Sequence, residues 1–72
     1  MVRVLVIIEK GPTSYGAYAP DIPGIIGLGD TAEEALQSMK ESLQIYDEYL
    51  KDERLPLPEM NNQAVYMDMA LS

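Results

Sequence analysis

Three acidic residues are distributed in a way that could hold divalent cations: Glu9, Glu34 and Asp68. Placed on a first strand, a helix and a last strand, they would have to converge on one point to support two-metal phosphoryl chemistry. Glu34 already has a role in a helix cap and Glu9 falls at a strand end, so a metal-dependent nuclease is the weakest functional reading. Gly27-Leu28-Gly29-Asp30-Thr31-Ala32 fits G-x-G-x-x-A, the spacing that holds a pyrophosphate at a helix N-terminus. Asp30, Glu33 and Glu34 would set carboxylates at that same terminus, where they satisfy the helix dipole and repel phosphate. The stretch therefore reads as a tight turn followed by a cap. Thr13, Ser14 and Tyr15 supply hydroxyls beside Lys10, but the 72 residues contain no histidine or cysteine to act as base or thiolate. The expectation is a protein that is not an enzyme, with no metal and no other cofactor.

Charge narrows the partners. Twelve Asp and Glu against five Lys and Arg leave a net charge of −7. Binding to nucleic acid draws its affinity from basic side chains that neutralise phosphates, and this chain would repel them. The same balance excludes a polybasic membrane contact, and the apolar run near the N-terminus is too short to span a bilayer. A basic protein is the complementary partner. With 47% hydrophobic residues, 24% charged residues and no low-complexity tract, the chain is expected to fold as one small domain, residues 1–72, in the cytoplasm. Small domains without disulfides or metals often gain stability by pairing with another chain.

These residues must be carried by a few elements. Val2, Val4, Val6 and Ile8 alternate along residues 2–9 with Leu5 and Ile7 on the opposite side, the pattern of a central strand buried on both faces. Gly11 to Ser14 form a turn, and Tyr15–Ala19 a second strand. Pro20-Asp21-Ile22-Pro23-Gly24 should break the ladder, because two backbone donors are missing and Gly24 permits positive φ. A short third strand follows at Ile25–Leu28, where Gly27 signals a close approach or a bulge. Thr31 with Glu34 three residues later is a capping box preceded by Asp30. From Thr31 to about Asp52, the residues Ala35, Leu36, Met39, Leu43, Tyr46 and Leu50 form an apolar stripe at helical spacing. Pro56 and Pro58 prevent continuation, and Val65, Met67, Met69 and Leu71 alternate in a last strand. The predicted fold is α+β, β-β-β-α-β: a four-stranded mixed sheet in the order 3-2-1-4 with one helix packed on one face. One helix covers one face only. The other face, with some combination of Leu5, Ile7, Tyr18 and Tyr66, should remain available for association. Met39, Met67 and Met69 read as core filler rather than as an adaptable binding surface.

Tyr15-Gly16-Ala17-Tyr18-Ala19-Pro20-Asp21-Ile22-Pro23-Gly24, followed by Gly29-Asp30-Thr31-Ala32-Glu33-Glu34-Ala35, resembles the HicB antitoxin family, whose motif is approximately Y-x-A-x-x-P-D-L-P-G and then G-D-T-x-E-E-A. The resemblance covers most of residues 3 to 50, with Ile22 in place of the usual leucine. It implies a partial ribonuclease H-like fold. It also implies a partner, HicA, a small basic mRNA-cleaving toxin, and oligomers of the antitoxin itself. The expectation is a single domain without the C-terminal helix-turn-helix or ribbon-helix-helix segment that binds an operator.

The reading is a non-catalytic, acidic interaction module that neutralises a basic HicA-like toxin by occlusion, as a homodimer or tetramer. The residues placed near the partner are Tyr18, Pro20, Asp21, Pro23 and Gly24, while Asp30, Thr31 and Glu34 are assigned to helix capping. The alternative is an orphan HicB-like domain that self-assembles or binds a small ligand at a subunit interface.

Overall fold

Gly11 N–H donates to the Ser14 carbonyl at 2.8 Å and reverses the chain between its first two strands. In the computed structural model, which describes residues 2–71, these strands are β1 (Ile7–Lys10) and β2 (Tyr15–Ala19). They pair antiparallel, with Ile8 opposite Ala17 and Lys10 opposite Tyr15. A second hairpin leads into β3 (Ile22–Gly29), and the helix α1 (Ala32–Asp52) follows.

The Pro20-Asp21 pair does not break the ladder, as the sequence suggested, but closes this second hairpin: Ala19 pairs with Ile22 directly across it. Proline pre-sets the φ of a turn position and has no N–H to lose there. The irregularity comes just after. The register steps from Ala19↔Ile22 to Tyr18↔Ile26, so Pro23, Gly24 and Ile25 bulge out of β3. Gly24 sits at φ +87° within that bulge, a conformation that side chains rarely adopt.

Thr31 is the N-cap of α1, and its hydroxyl accepts from Glu34 N–H at 3.1 Å. The Glu34 carboxylate reaches back to accept from Asp30 N–H at 3.0 Å, one residue earlier than a capping box usually places it. At the other end the prolines do not set the boundary. Arg54 takes the left-handed conformation at φ 55°, Arg54 N–H donates to Lys51 carbonyl, and Leu55 N–H donates to Leu50 carbonyl at 2.8 Å. That pair of bonds is the Schellman arrangement, built here on an arginine where glycine is usual.

Ala17, Ala19, Ile22, Ala35 and Met39 make the core, with Val4, Val6, Tyr15, Ile25, Leu43, Tyr46 and Met60 packed around it. Its small residues have a function. A Cβ on Gly27 would lie 2.5 Å from both Ala35 O and Met39 N, and one on Gly29 would lie 2.5 Å from Glu34 Cβ. The two glycines of the G-x-G stretch therefore let the helix backbone ride directly on β3.

The expected four-stranded sheet is not formed. Among the described residues the sheet has three strands, all antiparallel, in the order β1-β2-β3, and is not a mixed sheet in the order 3-2-1-4. The first strand is shorter than expected and lies at an edge; residues 2–6 precede the ladder, and Ile8 and Glu9 are exposed. The segment from Val65 to Leu71 is in no strand, and Tyr66 is fully exposed. Alternation says that successive side chains would suit different surroundings. It does not say which edge, or which chain, provides those surroundings.

Candidate protein-interaction surface

Directly opposed residues of antiparallel strands share a face, so the register sorts the sheet into two sides. Ile8, Tyr15, Ala17 and Gly27 lie on the side that α1 covers. On the other, Ile7, Tyr18 and Ile26 stand in one row across the three strands, and Glu9, Gly16 and Leu28 form the next row. Tyr18, Ile26 and Leu28 are 38%, 55% and 64% exposed. This bare apolar patch is what a single helix leaves uncovered. Of the four residues expected there, Ile7 and Tyr18 are on it, Leu5 precedes the ladder and Tyr66 lies on the extended tail. Ile26 and Leu28 were not singled out, because the shift introduced by the bulge decides which way β3 side chains point.

The remaining motif residues form the corner next to this face. Pro20 and Asp21 make the hairpin turn, and Pro23 and Gly24 project from the bulge, exposed. Asp21 is committed to the chain itself: its carboxylate accepts from Asn61 N–H at 3.0 Å, Asn62 N–H at 3.1 Å and the Asn62 side-chain amide. It thereby pins the segment after the helix to the β2–β3 turn. Asp30, Thr31 and Glu34 lie together at the start of α1, some way along the chain from that corner.

Two residues that the sequence reading passed over do defined work. Ser38 Oγ accepts from Leu28 N–H at 3.1 Å, and Ser42 Oγ donates to Ile26 carbonyl at 3.0 Å. Both contacts engage the outward backbone groups of β3. The signal was available as two small hydroxyl residues four apart, beside Ala35 and Met39 on one helix face.

The acidic residues considered for metal binding do not come together. Glu34 is bound to Asp30 N–H, Glu9 lies in β1 and Asp68 lies in the tail. Among the described residues no group of three such side chains is placed to hold a metal ion. None of the described helices is long and apolar enough to cross a membrane.

Residues 4–70 match the family described as HicB-like antitoxin of bacterial toxin–antitoxin system. An uncharacterised 14.9 kDa protein from the rep-hol intergenic region of Haemophilus phage HP1 is 32% identical over 93% of this chain and 55% of its own length. A UPF0150 protein of Synechocystis is 48% identical over 62% of this chain and 64% of its own. A UPF0150 protein of Helicobacter pylori is 30% identical over 82% of each. The chain thus spans about half the length of the phage relative it matches. No solved structure matches it.

Proposed function

The chain belongs to the HicB-like antitoxin family, and from that premise we propose that it is an antitoxin that neutralises a basic, HicA-like mRNA-cleaving toxin by covering the toxin's RNA-binding surface. The observation that carries this reading is the uncovered apolar row Ile7, Tyr18 and Ile26 on a chain of net charge −7. A surface of that kind offers apolar contact at its centre, while the surrounding acidic field steers a basic partner and holds it in register. Tyr18, Pro23 and Gly24 contact the toxin, with the Pro20-Asp21 turn at the rim. The inhibition is by occlusion, with no reaction performed on the toxin or its RNA. The antitoxin acts as a homodimer or tetramer in the cytoplasm.

The test is co-expression with a small basic ribonuclease encoded beside it, followed by co-purification at low and high salt and an RNA-cleavage assay. The expected result is a complex that suppresses cleavage, weakens as salt rises and is lost in the Ile26→Asp variant. A toxin that keeps cleaving RNA in the presence of excess antitoxin would remove the proposal.

A further inference from the structure

The protein exposes far more surface than its mass requires. Its accessible area is 6184 Å², against roughly 4,500 Å² for a compact monomer of 8.0 kDa. Its radius of gyration is 14.5 Å, against about 11 Å for a compact domain of this length. The excess, about 1,700 Å² per chain, is ample beside the ~800 Å² that each partner buries in a standard interface. Two apolar places stand out on this surface, and they complement each other.

The first is a groove on the helix side of the molecule, lined by Val2, Val4, Val6, Leu36, Met39 and Leu43. Its strand-side wall is the segment that leads into β1, and the outer edge of β1 pairs with no strand among the described residues. The opposite edge is partly covered, since Ser38 and Ser42 bond Leu28 N–H and the Ile26 carbonyl of β3. The second is the tail. Val65, Met67, Met69 and Leu71 alternate along one side of an extended segment, each 71% to 86% exposed. Asp21 holds Asn61 and Asn62, so the tail departs from a fixed point with its apolar side in water.

We propose that the groove is filled by the Val65–Leu71 segment of a second copy, and reciprocally, so that two chains exchange tails across a two-fold axis. Exchange of an identical element is a low-cost route to a symmetric dimer, since each chain supplies both segment and groove. The lengths are compatible: seven extended residues span about 23 Å, and the helix rises about 17 Å between Leu36 and Asp47, which lines the far end of the groove. Each chain's own sheet stays three-stranded. The apolar side of the visiting tail meets Val4, Val6, Leu36 and Leu43, and Tyr66 and Asp68 face solvent. Because each copy carries a charge of −7, salt screens their repulsion and strengthens this dimer, the reverse of its effect on a complex with a basic toxin. The exchange does not depend on the toxin reading.

The absence of cysteine makes a direct test available on the full chain. Val4→Cys and Met67→Cys variants are prepared separately, mixed and oxidised; the expected product is a disulfide-linked dimer of twice the 8.0 kDa mass. Sedimentation should give a dimer whose Kd rises roughly a hundredfold or more in Met67→Asp, since two buried methionines are lost per dimer. The exposed position of Met67 keeps the fold intact in that variant, which circular dichroism verifies. Three outcomes overturn the proposal: an intramolecular disulfide in a chain carrying both cysteines, a wild-type chain that remains monomeric at millimolar concentration, or a dimer that survives Met67→Asp but is lost in Ile26→Asp.

Discussion

Along β3 the helix side chains of Ser38 and Ser42 bond Leu28 N–H and Ile26 carbonyl, and Gly27 and Gly29 bring the helix backbone down onto the strand. Along β1, four residues pair with β2 on one side and, among the described residues, with no strand on the other, while the apolar residues before it border an open groove. One sheet edge is thus tied to the chain's own helix, and the other is open among the described residues. Proteins usually blunt a free strand edge with charge, proline or a bulge. Here the bulge and both prolines of the Pro20–Gly24 corner belong to the β2–β3 side, and β1 carries only Glu9 and Lys10 as protection. On this division stability resides in the β2–β3–α1 unit, and the proposed self-association in the β1 side and the tail.

The largest expected effect breaks the closed side. In Gly27→Ala the new methyl would overlap helix backbone at 2.5 Å from Ala35 O and Met39 N, and backbone cannot rotate away. The expected loss is about 3 kcal/mol, a fall in Tm of roughly 15 °C for a domain of this size. Gly16→Ala is the matched control on the uncovered face, where the added Cβ meets Leu28 Cδ2 at 3.8 Å. It should change stability by less than about 0.5 kcal/mol. Equal effects in thermal melts would mean that the helix does not rest on β3 through Gly27.

Next in size is the double variant Ser38→Ala with Ser42→Ala. Two hydrogen bonds to strand backbone are removed without changing the apolar stripe, at a cost of about 1–2 kcal/mol in all. The variant should also self-associate more strongly at a given concentration, because a second edge becomes free. A stable variant with unchanged sedimentation would show that the β3 edge is protected by something other than these hydroxyls.

The two sides also differ in how much the sequence disclosed. The helix announced itself: Thr31, Glu34 and an apolar stripe at 3.6-residue spacing bracket it within a residue at each end, because capping and periodicity are local physics. The stop was found for the wrong reason, since the prolines come after Arg54 has already turned the chain. The close approach at Gly27 was legible, as was an apolar face left bare by a single helix. Which residues populate that face was not, because three residues in the Pro23–Ile25 bulge reset the alternation of β3. Least legible was that neither Val2–Val6 nor Val65–Leu71 joins the ladder. Their period of two is genuine, but pairing is a long-range choice that alternation does not encode.

The smallest effect falls on the open side and sharpens the contrast by being nearly absent. Met69 is 74% exposed, so Met69→Ser removes little buried area and should alter the unfolding free energy of the dilute chain by less than about 0.5 kcal/mol. A core methionine behaves otherwise: Met39, at 1% exposure, would cost about 2–5 kcal/mol on truncation to alanine. If the tail becomes buried only when chains meet, the Met69→Ser penalty must grow with protein concentration, because the wild type alone gains stability from association by mass action. Thermal melts at micromolar and near-millimolar protein should therefore coincide for the variant and separate for the wild type. A Met69→Ser penalty that is large and independent of concentration would mean that the tail is already packed within one chain, and the division between a self-sufficient β2–β3–α1 unit and an unfinished β1 edge would not hold.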